Sequence, residues 1–273
     1  MHRFLSITFI VTFATCLSSQ TIKKIGAPEQ VRKVVKPEFQ FLLDSTNLDG
    51  AILVFSSVDS IYYSNDFKWS NLGHLPASTF KIPNSIVALE TKVVQSDTAI
   101  FKWDGQKRFY KAWEQDLSFV DAFRLSCVPC YQEVARAVGV KSMNQYVDTL
   151  GFGNMIVDSS NIDSFWLTGK SKITQFQQID FLIRLNNSLH PISRRTENMV
   201  KSMMINDSTS NYILRGKTGW STNLNVNNGW FVGCVETSQG VFYFATNIEP
   251  RSNFNMDDFS KIRKEVTMKA LRI

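Results

Sequence analysis

The chain has 273 residues, 44% of them hydrophobic and 12% aromatic, with a formal charge of +6. This length and apolar content support one large domain or two subdomains around a sizeable core, and exclude a disordered chain. Lys and Arg are scattered, without long runs or interleaved aromatics, so the charge reads as a solvated basic surface that can attract anionic small molecules, and nucleic acid is not indicated.

Taken in chain order, Met1-His2-Arg3 precedes an uncharged stretch from Phe4 to Leu17, with small residues at Ser18 and Ser19. A basic start followed by an apolar run too short to span a bilayer comfortably predicts a signal peptide over residues 1–19 and an exported, periplasmic protein. A lipoprotein acylated at Cys16 is the minor alternative, because Phe13-Ala14-Thr15 fits a lipid-attachment site poorly. No later segment is apolar and long enough to cross a bilayer, so no stable membrane insertion is expected once the signal is removed.

Residues 50–65 alternate as a hairpin, with Ala51 to Phe55 and Ile61 to Tyr63 flanking a turn at Val58-Asp59-Ser60. From Pro76 to Met204 the patterns are helical. Thr174 and Gln177 form a capping box ahead of the stripe Phe181, Leu182, Leu185, while Gly139 and Gly151 read as helix stops. Strand character returns after Asp207, in Tyr212 to Leu214, Trp230 to Val235 and Val241 to Thr246, the last two joined through Ser238-Gln239-Gly240. An amphipathic helix from about Asp257 to Leu271 closes the chain. Strands at both ends and helices between them predict an α+β fold, an antiparallel sheet built from both termini with helices beside it. The boundaries are 20–75 and 207–273 for the mixed α/β part and 76–206 for a mainly helical insertion, together one functional domain. A cleft between the two parts is the natural place for a site.

Four cysteines occur, Cys16, Cys127, Cys130 and Cys234, of which three would remain in the exported protein. Cys127 and Cys130 resemble a short metal or redox pair, but Pro129 lies between them and no second Cys or His cluster follows. The histidines are His2, His74 and His190 alone. Buried free thiols are therefore the expectation, and no metal site.

The most informative residues are Ser78-Thr79-Phe80-Lys81 in LPASTFKIPNS. In a helix, Ser78 and Lys81 share one face, so the amine can act as base toward the hydroxyl if its environment keeps it uncharged. Pro83 predicts a tight or kinked turn before regular helix begins. Alone, such spacing is common at solvated helix ends. Here Ser126-Cys127-Val128 follows in a helix-to-helix turn, then Gly153-Asn154 after a helix end, then Lys217-Thr218-Gly219 on a strand. Gly216-Lys217-Thr218 imitates the tail of a phosphate-binding loop, but Asn211 stands where that loop needs glycine, and a strand pattern surrounds it instead of a helix start.

An ordered Ser-x-x-Lys, Ser-x-x and Lys-Thr-Gly resembles the penicillin-recognising serine enzymes. In detail the chain resembles their class D β-lactamases, the oxacillinases, over PASTFKIPNS, SCVPCYQEVAR, DSFWLTG, RGKTGW, NGWFVG and SKIRKEV. The resemblance implies a β-lactamase/transpeptidase-like fold and antibiotic resistance by hydrolysis. It makes Ser78 the nucleophile and Lys81 the general base, carboxylated by carbon dioxide, with no other cofactor. Phe80 and Val128 would supply an apolar wall and the Trp166 indole a hydrogen bond to the carbamate. Ser126 would relay a proton to the ring nitrogen, helped by Lys217. Thr218, Gly219, Trp220 and Arg263 would bind substrate, with Thr218 and Arg263 on its carboxylate and the backbone N–H groups of Ser78 and Trp220 forming the oxyanion hole. Phe152 departs from the commoner Tyr-Gly-Asn without touching a catalytic step. Expected substrates are β-lactams such as penicillins and oxacillin, acted on by a monomer or homodimer, and the residues do not fix whether carbapenems are hydrolysed. The segment between Trp220 and Trp230, with Tyr110 opposite, would shape preference among them. A D,D-peptidase and a membrane-linked β-lactam sensor are the rival readings.

Overall fold

The computed structural model describes residues 32–273; the expected signal peptide and Cys16 lie outside the described residues. A seven-stranded sheet is built from both ends of this span. Its strands are β1 (Arg32–Val35), β2 (Leu48–Ser56), β3 (Ile61–Ser64), β6 (Ile205–Ser208), β7 (Tyr212–Asn223), β8 (Val226–Thr237) and β9 (Gly240–Pro250). The spatial order is β1-β3-β2-β9-β8-β7-β6. All neighbours pair antiparallel except β1 and β3, which run parallel. The hairpin expected over residues 50–65 is β2–β3, and the turn at Ser238-Gln239 joins β8 to β9.

Two core layers follow from the pleat, because successive side chains point to opposite faces. On β2, Ile52 and Val54 face one layer while Leu53 faces the other; on β8, Phe231 opposes Trp230 and Val232; on β9, Phe244 opposes Tyr243 and Ala245. The first layer is covered by α1 (Pro37–Asp44) and α8 (Phe259–Leu271), which contribute Phe39, Leu43, Phe259 and Val266. The second is covered by the helical middle of the chain. Both faces of the central strands are thus buried, which is why β8 reads as a nearly continuous apolar run.

The helical part comprises α2 (Phe67–Ser70), α3 (Lys81–Glu90), α4 (Phe119–Arg124), α5 (Val128–Leu150), α6 (Gln175–Asn186) and α7 (Arg194–Met203). The Thr174–Gln177 capping box opens α6 as expected, and Gly151 ends α5 with φ of 60°. Gly139 divides α5 at φ 76°, ψ 160°, so it stops one helix and starts the next without a loop. Two features depart from the sequence reading. A short ladder, β4 (Ile100–Phe101) with β5 (Leu117–Ser118), interrupts the helical region, and the sheet resumes at Ile205, before Asp207. Two-residue and polar edge strands carry too little periodicity to be read from sequence. Among the described residues, no helix is long and apolar enough to cross a membrane.

Candidate active site

Ser78 lies on a 3₁₀ turn, Ala77–Phe80, that runs directly into α3 at Lys81. This is the tight entry that Pro83 predicted. Ala77 holds a φ of 50°, a costly conformation for a residue with a side chain, so the turn needs external support. The Ala77 N–H donates to the Trp166 carbonyl at 2.8 Å, Thr79 Oγ1 donates to the Pro76 carbonyl at 2.6 Å, and Gln178 Nε2 on α6 donates to Thr79 Oγ1 at 2.8 Å. From β8, Asn228 Nδ2 and Trp230 Nε1 each donate to the Leu75 carbonyl at 2.8 Å. The sequence reading assigned no role to Gln178, Asn228 or Trp230. NGW stood out as a motif, but hydrogen bonds spanning more than 90 residues leave no local signal.

Lys81 Nζ lies 3.3 Å from Ser78 Oγ and 4.9 Å from the centre of the Tyr131 ring. The side chain is 1% exposed, and among the described residues no carboxylate lies within ion-pair reach of it. Desolvation penalises the ammonium and lowers its pKa to about 7. Beside it, Phe80 stacks on Trp166 at 5.7 Å and meets Phe165 and Phe152 edge-on. The Trp166 indole N–H is buried and has no hydrogen-bond partner, an arrangement that normally costs about 1–3 kcal/mol. A buried amine without an acid, an apolar wall and an unused N–H donor together fit a small anionic group carried on Lys81.

The opposite wall is β7. Beyond Arg215 this strand has no β6 neighbour, and its free edge runs past the 3₁₀ turn. Gly219 permits that approach, since a Cβ there would come within 3.2 Å of the Pro76 carbonyl oxygen and Thr79 Cγ2. Lys217 Nζ donates to Ser126 Oγ and, at 2.9 Å, to the Thr218 carbonyl. Burial lowers the Lys217 pKa well below its ordinary value, with the Lys81 and Arg263 charges acting in the same direction. Ser126 sits between α4 and α5 with φ of 56°.

Arg263 reaches the same wall from α8. Its guanidinium donates to the carbonyls of Phe259 and Ser260, both at 3.0 Å, and of Gly219. Gly229 leaves room for it, because a Cβ there would lie 2.9 Å from Arg263 Cδ. Desolvation lowers the Arg263 pKa to about 10. Trp220 is fixed by its indole N–H to Asn227 Oδ1 at 3.0 Å and by Phe259. Ser78, Ser126, Val128, Thr218, Gly219, Trp220 and Arg263 line one cleft of about 400 Å³, as does Tyr110. Phe80, Lys81 and Trp166 lie buried behind it.

The cysteine expectation needs correction. Cys127 and Cys130 form a disulfide instead of remaining free thiols. Cys127 is the N-cap of α5 and Cys130 lies in its first turn, which brings their Cα atoms to 5.5 Å, within the range a bridge can span. Cys234 is buried and free, and desolvation pushes its pKa up to about 12.

Fold and cleft together define a serine-centred enzyme site between a sheet edge and a helix start. Residues 50–272 match the penicillin binding protein transpeptidase domain. The chain is 39% identical over 218 residues to β-lactamase OXA-48 of Klebsiella pneumoniae, covering 80% of this chain and 82% of that one. It is 35% identical to β-lactamase OXA-10 of Pseudomonas aeruginosa over 82% of this chain and 84% of the other. The crystal structure of a class D β-lactamase from Nostoc superposes with a TM-score of 0.82 at 42% identity, covering 86% of this chain and 97% of that chain. The chain belongs to the class D β-lactamases, serine enzymes within the transpeptidase family.

Proposed function

We propose that the protein hydrolyses β-lactam antibiotics through an acyl-enzyme on Ser78, with carboxylated Lys81 as the general base. The observation that carries this reading is the Ser78–Lys81 pair, 3.3 Å apart, with the amine buried and without an acid partner beside the unused Trp166 N–H. A pKa near 7 leaves a substantial fraction of Lys81 neutral at physiological pH, and only a neutral amine adds carbon dioxide. When present, the carbamate supplies an anionic oxygen that can take the proton of the Ser78 hydroxyl and later of water. Phe80 and Val128 keep that position dry, and Trp166 offers it a donor.

Ser78 Oγ attacks the lactam carbonyl while the backbone N–H groups of Ser78 and Trp220 stabilise the oxyanion. The Lys217–Ser126 contact makes Ser126 the relay to the leaving nitrogen, with Lys217 lowering the cost of its transient negative charge. Arg263 and Thr218 receive the substrate carboxylate. Lys217 and Arg263, both buried and without ion-pair partners among the described residues, favour an anionic substrate over a neutral one. Penicillins and oxacillin suit this cleft, and the tip between Trp220 and Trp230 would set how carbapenems fare. Export to the periplasm rests on residues 1–19 alone.

Turnover of a chromogenic cephalosporin by the purified protein tests the reading. Continuous hydrolysis supports it. One equivalent of product followed by arrest would mean a sensor or a peptidase that acylates without deacylating, and hydrolysis of D-Ala-D-Ala peptides would single out the peptidase.

A further inference from the structure

The disulfide closes a ring around Val128 and Pro129, immediately after Ser126. It therefore lies between Ser126, the proposed proton relay, and Val128, which lines the cleft beside Ser78 and is the proposed apolar wall for Lys81. Ser126 stands in a left-handed conformation; its side chain accepts from Lys217 Nζ, and a few backbone bonds hold the turn. The Ser126 N–H donates to the Phe123 carbonyl at 3.1 Å, the Cys127 N–H to the Ala122 carbonyl at 2.8 Å, and the Trp113 indole to the Leu125 carbonyl at 3.0 Å. On the downstream side, the Cys130 N–H donates to Cys127 Sγ at 3.3 Å, and the Tyr131 N–H reaches the Cys127 carbonyl only at 3.4 Å. Pro129 donates nothing. The bridge thus adds a covalent tie between the turn and the first turn of α5, where the hydrogen bonds are long.

A second observation concerns access. Cys127, Pro129 and Cys130 line a second cavity of about 280 Å³ together with Trp103, Arg108 and Trp113; Ser78 does not line it, and Trp113 is shared with the substrate cleft. Cys127 is 2% exposed and Cys130 8%. A small reductant entering that cavity meets the residues of the bridge without contacting Ser78.

We propose that the Cys127–Cys130 disulfide is a positioning element of the active site, holding Ser126 and Val128 in place, and that small dithiols open it through the second cavity. This rests on the carbamate reading for the role of Val128. In the opening step a dithiol's thiolate attacks Cys130 Sγ and the Cys127–Cys130 bond breaks. The second thiolate then displaces Cys130, giving a cyclic oxidised dithiol and two cysteine thiols, with two electrons and two protons transferred. Without the ring, Val128 can move away from the Lys81 pocket, water enters, and the carbamate is held less well. The substrate carboxylate is bound elsewhere, so its affinity changes little.

The test compares the oxidised enzyme, the enzyme after dithiothreitol without denaturant, and the Cys127→Ala/Cys130→Ala variant. Two thiols should appear on native reduction. The kcat should fall about 5–10-fold, short of the roughly 100-fold that a 1 Å misplacement can cost. KM should change less than about twofold, and the bicarbonate needed for half-maximal activity should rise by a factor similar to the loss in kcat. Reoxidation should restore the reduced wild type and leave the variant unchanged. Equal kcat and bicarbonate dependence in oxidised and reduced enzyme would overturn the positioning role; a bridge that resists reduction until the protein unfolds would overturn the access route. Should the variant fail to fold, the wild-type comparison still decides. Turnover by the oxidised enzyme alone tests the parent reading, whereas the ratio of the two redox forms tests the clamp.

Discussion

On the helical wall of the cleft, Lys81 Nζ lies over the Tyr131 ring, and among the described residues Ser78 Oγ is its hydrogen-bond partner. On the strand wall, Lys217 touches a hydroxyl and a backbone carbonyl, and Arg263 donates to three backbone carbonyls. Burial lowers the pKa of all three cations, but the surroundings make different use of it. The helical wall disfavours the charge on its lysine and, on the proposed reading, leaves the amine free for carboxylation. The strand wall gives Lys217 and Arg263 polar partners, and Arg263, lowered only to about 10, keeps its charge. The difference teaches that a shifted pKa alone does not define a role; the partners left over after burial do.

Removing Ser78 should have the largest effect. Ser78→Ala should abolish covalent labelling by a fluorescent penicillin and lower kcat by on the order of 10⁴-fold or more, with the fold intact by circular dichroism. On the strand wall, Lys217→Ala should cost about 10²–10³-fold in kcat by depriving Ser126 of its partner, measured as steady-state hydrolysis. Arg263→Ala should act mainly on KM, raising it about 10–100-fold for penicillins, the equivalent of losing a charge-assisted bond of about 1.5–3 kcal/mol. If Arg263→Ala lowered kcat and left KM unchanged, the division of labour between the two walls would fail.

Most of this arrangement is legible in the sequence because Ser78, Lys81 and Lys217 each lie within short motifs. The hairpins, the α6 capping box and the closing helix were legible for the same reason, being set by residues two to four positions apart. Other features depend on distant contacts. The Gln178–Thr79 bond, the two donors on the Leu75 carbonyl and the parallel β1–β3 pairing join residues far apart in sequence, which leave no periodic trace. The bridge between Cys127 and Cys130 was misread because an odd cysteine count and the intervening Pro129 argued for free thiols. Only the start of α5 at Val128 makes their separation suitable.

A smaller effect concerns stability. In carbon dioxide-free buffer, Lys81 binds a proton below about 7 in the folded protein and below its ordinary 10.5 when unfolded. Between these values the unfolded chain holds the extra proton, so this group makes stability rise with pH across the window and contributes no slope below it. Lys81→Met should therefore flatten part of that rise in urea titrations between pH 7 and 10. At pH 7 it should raise Tm by about 2–8 °C, corresponding to about 1–2 kcal/mol. A destabilised Lys81→Met would mean that the amine, even uncarboxylated, is a structural element of the helical wall.

The central claim, that Lys81 works as a carbamate, is tested most directly by carbon-13 NMR of the enzyme equilibrated with labelled carbon dioxide, with hydrolysis measured on the same samples. A carbamate resonance should appear in the wild type and be absent from Lys81→Ala. It should fade in step with activity as the buffer is degassed and brought below pH 7, and both should return with bicarbonate. Trp166→Ala should need more bicarbonate to reach the same signal. A wild-type enzyme that hydrolyses β-lactams at full rate with no carbamate resonance, indifferent to bicarbonate from pH 5 to 8, would show that Lys81 acts as a free amine and contradict the account.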